Sequence, residues 1–150
     1  MAITRWAASP HLLDGFSKLN GLFESATLDP LAREVVVMTI ATRNGCHLCV
    51  AMHTGRLSAM QADQALISAL RQGPDTPVAD PRLEAIRLFT LRVLDTAGAV
   101  GDDAVEDFLA RGYTGQNALE VVLGIATYTL STFANRLTGA PVDDQIRQFA

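Results

Sequence analysis

Residues 29–53, DPLAREVVVMTIATRNGCHLCVAMH, decide the fold class of this chain. Asp29 and Pro30 form a helix start, because aspartate is a preferred N-cap and the missing N–H of proline costs nothing in the first turn. The pattern therefore predicts a helix over Leu31 to Thr42. Asn44-Gly45 should end it, since both residues tolerate the left-handed backbone found at helix C-termini. A second helix is expected to begin near Cys46.

A strand is the alternative for part of this segment. The run Val35 to Ile40 is rich in β-branched residues, which favour strands. Strand, turn and a Cys-x-x-Cys helix together would form a thioredoxin-like unit. The helix start at Asp29 argues against it, and a parallel sheet would need further strands that the rest of the chain does not supply. We therefore predict an all-α, compact multi-helix subunit.

The remaining sequence also carries helical spacing with start and stop signals. The predicted helices are His11 to Glu24, Ala62 to Arg71, Pro81 to Thr96 behind an Asp80 N-cap, a short one capped by Asp102 or Asp103, and a long one from Thr114 or Asn117 to Leu137. On the Pro81 helix, the side expected to be buried carries Leu83, Ile86, Leu88, Leu91 and Leu94. Ala118 to Leu137 is apolar nearly all round, which places it in the middle of the molecule or against another subunit. We expect one domain over residues 1–150.

Composition narrows the function classes. The 150 residues are 49% hydrophobic and 19% charged with a net charge of −4, which is typical of a globular protein. The arginines are scattered and Lys18 is the only lysine, so the electrostatic footprint of a nucleic-acid partner is missing. No apolar run is long enough for a membrane span or a secretory signal, and we expect a cytoplasmic protein with no membrane partner.

Four side chains in the deciding segment carry the chemistry. Cys46, Cys49 and His53 are offset by three and four residues, so a helix starting at Cys46 would project all three from one face. The turn at Asn44-Gly45 would fold the preceding helix back, so that the carboxylate of Glu34 could reach His53.

This combination suits a reactive thiol. Thiols at helix N-termini or beside a histidine cation have pKa values of roughly 3.5–7.5, against about 8.5 for a free cysteine. A carboxylate on the other ring nitrogen orients the imidazole and stabilises its protonated form. A thiolate oxidised by a peroxide becomes a sulfenic acid, which a neighbouring thiol converts to a disulfide. Such a cycle needs an external reductant.

The Glu34-x11-Cys46-x-x-Cys49-x3-His53 pattern on a helical chain resembles the alkylhydroperoxidase D-like, or carboxymuconolactone decarboxylase-like, superfamily. The similarity runs from about Pro30 to Asp144 and includes the run Tyr128 to Asp143. It implies a helical subunit assembled into trimers or hexamers, and thiol-dependent reduction of hydroperoxides with an external thiol or protein reductant and no cofactor. It further implies Cys49 as the attacking thiol, Cys46 as its disulfide partner, and His53 with Glu34 as a proton relay.

Two features of the motif keep alternatives open. The family's best-characterised members have a histidine directly before the second cysteine; here that residue is Leu48, and His47 follows the first cysteine instead. Helix-end physics favours Cys46 as the more acidic thiol, so the order of attack is open. The decarboxylases of the superfamily act without the cysteine pair, which favours redox chemistry over decarboxylation.

Three other interpretations compete with a peroxidase. In the first, the two cysteines are small buried residues with no chemical role. In another, Cys46, Cys49, His53 and Glu34 bind zinc. In the third, the chain is a non-enzymatic oligomeric redox sensor or binding module. Outside the motif, we expect Arg56 to be solvated and Tyr128 to be a packing residue.

Overall fold

A computed structural model describes residues 5–150, and these residues fold into helices and connecting turns with no β-strand. The all-α prediction is therefore confirmed. In chain order the helices are α1 (Pro10–Glu24), α2 (Pro30–Arg43), α3 (His47–Ala59), α4 (Gln64–Gln72), α5 (Pro81–Thr96), α6 (Asp102–Ala110) and α7 (Gly115–Leu137), followed by a 3₁₀ helix at Asp144–Phe149.

Helix α2 lies at the centre of the core. The Asp29 carboxylate caps it by accepting the N–H of Ala32 at 2.9 Å, as the sequence predicted. Nine of its 14 residues are buried, including the whole β-branched run Val35 to Ile40. Burial on every side offsets the modest helix propensity of these residues, since β-branched side chains pack tightly once a helix is enclosed. The thioredoxin-like alternative is wrong.

Helix α7 packs on α1 and α2 along one side only. Gly124 makes the close approach possible: a Cβ there would lie 2.7 Å from the Phe23 ring and 3.2 Å from Val36. The opposite side of α7 is exposed within this subunit and carries an apolar stripe of Leu119, Val122, Phe133 and Leu137. Helix α7 is therefore not in the middle of the subunit, and the alternative, that it lies against another subunit, stays a prediction.

Three local predictions need correction. Leu88 is 50% exposed, because the buried side of α5 follows Leu83, Ile86, Thr90 and Val93. Neither Asp102 nor Asp103 caps α6; Gly101 is the N-cap, and both aspartates lie in the first turn, where carboxylates interact favourably with the helix dipole. Helix α4 begins after an Asp63 cap rather than at Ala62, because the Asp63 carboxylate accepts the N–H of Ala65.

The C-terminal segment folds back over α3. Its 3₁₀ helix packs on α3, with the Phe149 ring 3.1 Å from where a Cβ of Gly55 would stand. Arg71 donates to the Phe149 carbonyl and to Thr54 on α3. Within residues 5–150, no helix combines the length and apolarity that crossing a bilayer requires.

Candidate active site

The turn between α2 and α3 positions the two cysteines. Gly45 adopts the left-handed conformation (φ +63°), which places Cys46 at the N-cap of α3. The Cys46 sulfur accepts the backbone N–H of Cys49 at 3.4 Å and lies 2.7 Å from the Cys49 sulfur. Both are free thiols and each is 2% exposed. The two sulfurs therefore point towards each other and share a proton.

Helix α7 supplies two polar contacts to this pair. The Asn135 side-chain amide donates to the Cys49 sulfur at 3.3 Å, and the Ser131 hydroxyl lies 4.0 Å from it. The only signal in the sequence for these residues is their place in the run Tyr128 to Asp143 that carries the family resemblance. Periodicity alone assigns them to the buried side of a helix.

The surroundings give the two thiols opposite acidities. The S–H of Cys49, the backbone N–H of Cys49, the Asn135 amide and the charge of Arg136 together outweigh burial and lower the pKa of Cys46 to about 7. The bond to Cys46, burial and the negative charge on Cys46 raise the pKa of Cys49, and Asn135 and Ser131 offset only part of that. Cys46 is therefore the more acidic thiol of the reduced pair.

Glu34 and His53 form a buried pair beside the thiols. The ring nitrogen Nδ1 of His53 lies 2.7 Å from Oε2 of Glu34, and both side chains are almost fully enclosed. The structure thus brings together the two residues that the sequence spacing placed in contact. No hydrogen bond joins His53 to either sulfur in the described chain, and its Nε2 has no hydrogen-bond partner there. Cys49 and His53 are one turn apart on α3.

Arg56 extends this pair to the surface. Its Nε lies 3.2 Å from Oε1 of Glu34, and its two terminal nitrogens bind both oxygens of Glu24 at 2.9 and 3.1 Å. The expectation that Arg56 is simply solvated is therefore wrong, because its guanidinium binds the carboxylates of Glu24 and Glu34 together. Glu24 binding raises the pKa of Arg56, and Arg56 in turn lowers that of Glu24.

Tyr128 packs as predicted, and against the imidazole. Its ring meets His53 edge-on with centroids 5.2 Å apart, while its hydroxyl donates to the Asn20 side chain at 3.0 Å. Phe16 and Phe23 pack edge-on against the same ring. His53 therefore lies against an apolar wall formed by α1 and α7.

His47 and Leu48 have opposite environments at the start of α3. Leu48 is buried in a small apolar cluster with Ala41, Cys46 and Cys49, whereas His47 is exposed. Ala140 and Ile146 of the C-terminal segment pack on this cluster. The segment therefore covers the dithiol.

The zinc interpretation lacks a suitable geometry. Among residues 5–150, no group of three or more His, Cys, Asp or Glu side chains is arranged to hold a metal ion. The four candidate residues form two separate pairs, one through sulfur and one through the imidazole and carboxylate.

Comparison with known proteins agrees with this architecture. The sequence model of the carboxymuconolactone decarboxylase family matches residues 10–92, which include α1 to α5 up to Arg92. A search of curated proteins finds no match.

Several solved structures share the fold. The chain superposes on an uncharacterised peroxidase-related protein with an alkylhydroperoxidase AhpD core from Ralstonia eutropha (TM-score 0.84, 20% identity, 94% of this chain and 75% of that one). It also superposes on a protein of unknown function from Agrobacterium tumefaciens that carries the AhpD name (0.78, 17%, 92% and 94%). A third match is a peroxidase-related protein from Silicibacter (0.80, 15%, 92% and 74%).

Proposed function

The chain belongs to the carboxymuconolactone decarboxylase family, and on that premise we propose that it is a thiol-dependent oxidoreductase that reduces hydroperoxides through a Cys46–Cys49 dithiol–disulfide cycle. The observation that carries the proposal is the pair of free thiols at a helix N-terminus, with their sulfurs 2.7 Å apart. Hydrogen bonds from Cys49 and Asn135 lower the pKa of Cys46 to about 7. A structural role for two buried cysteines requires neither the shared proton nor the lowered pKa.

The cycle has three balanced steps. A cysteine thiolate attacks the terminal oxygen of the hydroperoxide, so that an S–O bond forms, the O–O bond breaks, and the alkoxide takes a proton to leave as an alcohol. The second cysteine then attacks the sulfenic acid, forming the disulfide and releasing water. An external thiol or thiol protein reduces the disulfide by exchange and is itself oxidised. A dithiol that must be re-reduced after each turnover suits a reducing compartment such as the cytoplasm.

The buried Glu34–His53 pair serves as the proton relay in this proposal. Glu34 holds Nδ1 at 2.7 Å, which fixes the orientation of the ring. Nε2 is left to donate to the departing alkoxide and to take up a proton in return. No metal or organic cofactor is needed for any step.

Cys46 is the attacking thiol in this proposal, because its surroundings make it the more acidic of the two thiols. The family resemblance implies the reverse order, with Cys49 attacking. The two orders differ in which single-serine variant accumulates a sulfenic acid. If Cys46 attacks, the Cys49→Ser variant treated with one equivalent of cumene hydroperoxide forms a sulfenic acid on Cys46, which a dimedone probe traps. If instead only the Cys46→Ser variant is trapped, at Cys49, then Cys49 is the attacking thiol.

The activity is tested with purified protein, a dithiol reductant and cumene hydroperoxide. The wild-type chain is expected to consume hydroperoxide, and Cys49→Ser and His53→Ala are expected to lose turnover while keeping their helical circular dichroism. The matched control is the Cys46→Ser, Cys49→Ser double variant. If the wild type is no faster than this double variant, the proposed function is wrong.

A redox sensor is the second candidate, favoured by the exposed apolar stripe on α7, which suits assembly with further copies. In a sensor, formation of the disulfide changes the assembly state, whereas a peroxidase needs no such change. Light scattering of the reduced and oxidised protein separates the two functions.

A further inference from the structure

The side-chain amide of Asn135 has an unusual environment for a buried group. It is 4% exposed, its Nδ2 donates to the Cys49 sulfur at 3.3 Å, and its Oδ1 is buried with no hydrogen-bond partner. Turning the amide over would exchange the two ends without giving the second one a partner. Buried polar atoms are nearly always hydrogen-bonded, so an orphan at this position calls for an explanation.

Packing does not provide that explanation. A buried amide with one unsatisfied end is less favourable than an apolar residue of the same size. Neighbouring polar side chains on α7 are paired: Thr132, for example, donates to the Tyr128 carbonyl and accepts from Asn44. One other buried oxygen of α7 has no partner among the described residues, Oγ1 of Thr129. Of the buried side chains with an unpartnered polar atom in residues 5–150, Asn135 alone also has a hydrogen bond to a sulfur.

We infer that Asn135 is a catalytic residue of the dithiol cycle: its NH₂ stabilises the Cys49 thiolate in the step that forms the disulfide, and its Oδ1 accepts the O–H of the hydroxyl transferred to the Cys46 sulfur. This rests on the proposed function and deepens it. Asn135 touches a reacting atom directly.

The chemistry of the second step needs such a group. Once Cys46 has become a sulfenic acid, it no longer supplies the charge that keeps Cys49 protonated. Cys49 must then lose its proton to attack Cys46, forming the S–S bond while the S–O bond breaks and hydroxide leaves as water with that proton. A donor 3.3 Å from the Cys49 sulfur stabilises the thiolate that attacks.

The orphan oxygen fits the other half of the step. The sulfenic O–H stands on a sulfur 2.7 Å from that of Cys49, which the same amide contacts. An acceptor for this O–H would hold the hydroxyl in place until it leaves. The amide offers one donor and one acceptor to two adjacent sulfurs.

The first test uses a Cys46→Ser background, where Cys49 titrates without its neighbour. Alkylation of Cys49 by iodoacetamide against pH, read by mass spectrometry, gives its apparent pKa. We expect Asn135→Ala to raise that pKa by about one unit, because the hydrogen bond to the charged sulfur is lost. The thiolate fraction of Cys49 at a given pH below its pKa would then fall about tenfold. Asn135→Asp should raise it further, because a carboxylate repels a thiolate.

Asn44→Ala is the matched control. It removes an asparagine hydrogen bond to the same helix, from Asn44 to Thr132 at 3.0 Å, and touches no sulfur. Its Cys49 pKa should equal that of the background. If Asn135→Ala does not fold, the isosteric Asn135→Asp still provides the measurement. Equal pKa values in Asn135→Asp, Asn135→Ala and the control would overturn the inference.

The second test follows disulfide formation in the two-cysteine chain. After one equivalent of cumene hydroperoxide, Asn135→Ala should form the disulfide about tenfold more slowly than the wild type and accumulate dimedone-reactive Cys46, matching the pKa shift. Disulfide formation as fast as in Asn44→Ala would refute the catalytic role. A wild type that consumes no hydroperoxide while Asn135→Ala still raises the Cys49 pKa would refute the proposed function and support the contact.

Discussion

At the scale of single residues, the lowered pKa of the Cys46 thiol has two sources. Part of it is local to α3, where the N-cap sulfur of Cys46 receives the S–H and the backbone N–H of Cys49. The rest comes from α7 through the Asn135 amide and the charge of Arg136. The Cys-x-x-Cys motif by itself therefore accounts only for the contribution from Cys49.

The lowered pKa of Cys46 predicts how its reactivity depends on pH. Only the thiolate is nucleophilic, so alkylation of Cys46 should rise with pH and reach half its maximum near pH 7, rather than near the value of about 8.5 of a free cysteine. Mass spectrometry of the alkylated peptide measures this.

Arg136→Met should move this midpoint upward, because it removes a positive charge that favours the thiolate. The shift should be roughly half a unit or less, since the arginine is exposed and its charge is screened by solvent. Arg111→Met, which removes an exposed arginine next to α6, is the control. A midpoint near 8.5 in the wild type would show that the pair does not share its proton as described.

At the scale of elements, the C-terminal segment covers the cluster that contains both sulfurs. Ala140 and Ile146 pack on this cluster, and the 3₁₀ helix that contains Ile146 contacts α3 through Phe149 and α4 through Arg71. We therefore expect this cover to limit the access of reagents to the sulfurs.

Removing residues 141–150 should therefore expose the dithiol. Alkylation of Cys46 at fixed pH should accelerate by about tenfold or more, corresponding to a local opening free energy of about 1.4 kcal/mol. Ile146→Ala should give a smaller increase. Circular dichroism confirms that α1 to α7 stay folded, and an unchanged alkylation rate in the truncated chain would show that the segment does not limit access.

At the scale of the whole molecule, α7 has two different sides. The buried side carries Tyr128, Ser131 and Asn135 towards α3, whereas the exposed side carries the apolar stripe of Leu119, Val122, Phe133 and Leu137. Leu119 is 73% exposed and Leu137 is 89% exposed. Such a stripe is expected to be covered by further copies of the chain.

Phe133→Glu should break the assembly. We expect the wild type to have three or six times the subunit mass by light scattering and Phe133→Glu to approach the monomer, since a charge placed in an apolar interface is costly. Leu88→Glu, at an equally exposed leucine on α5, should leave the mass unchanged. A wild-type monomer, or a Phe133→Glu variant of full mass, would rule out the stripe as the interface.

The sequence by itself determined the helices and the four-residue motif, because these depend on neighbours along the chain. Asp29, Pro30 and Gly45 fix the ends of α2, and the three- and four-residue offsets place Cys46, Cys49 and His53 on one face of α3. Local spacing fixes which residues share a helix face, and the short turn at Asn44-Gly45 extends it to the Glu34–His53 contact between α2 and α3.

Only the tertiary structure decided which distant side chains meet this face. Asn135 lies 86 residues from Cys49, Arg56 closes on Glu34 and Glu24 together, and Ile146 covers the thiols. These contacts depend on how α7 and the C-terminal segment pack against α3, and packing is set by the shapes of whole helix surfaces rather than by a period in the sequence.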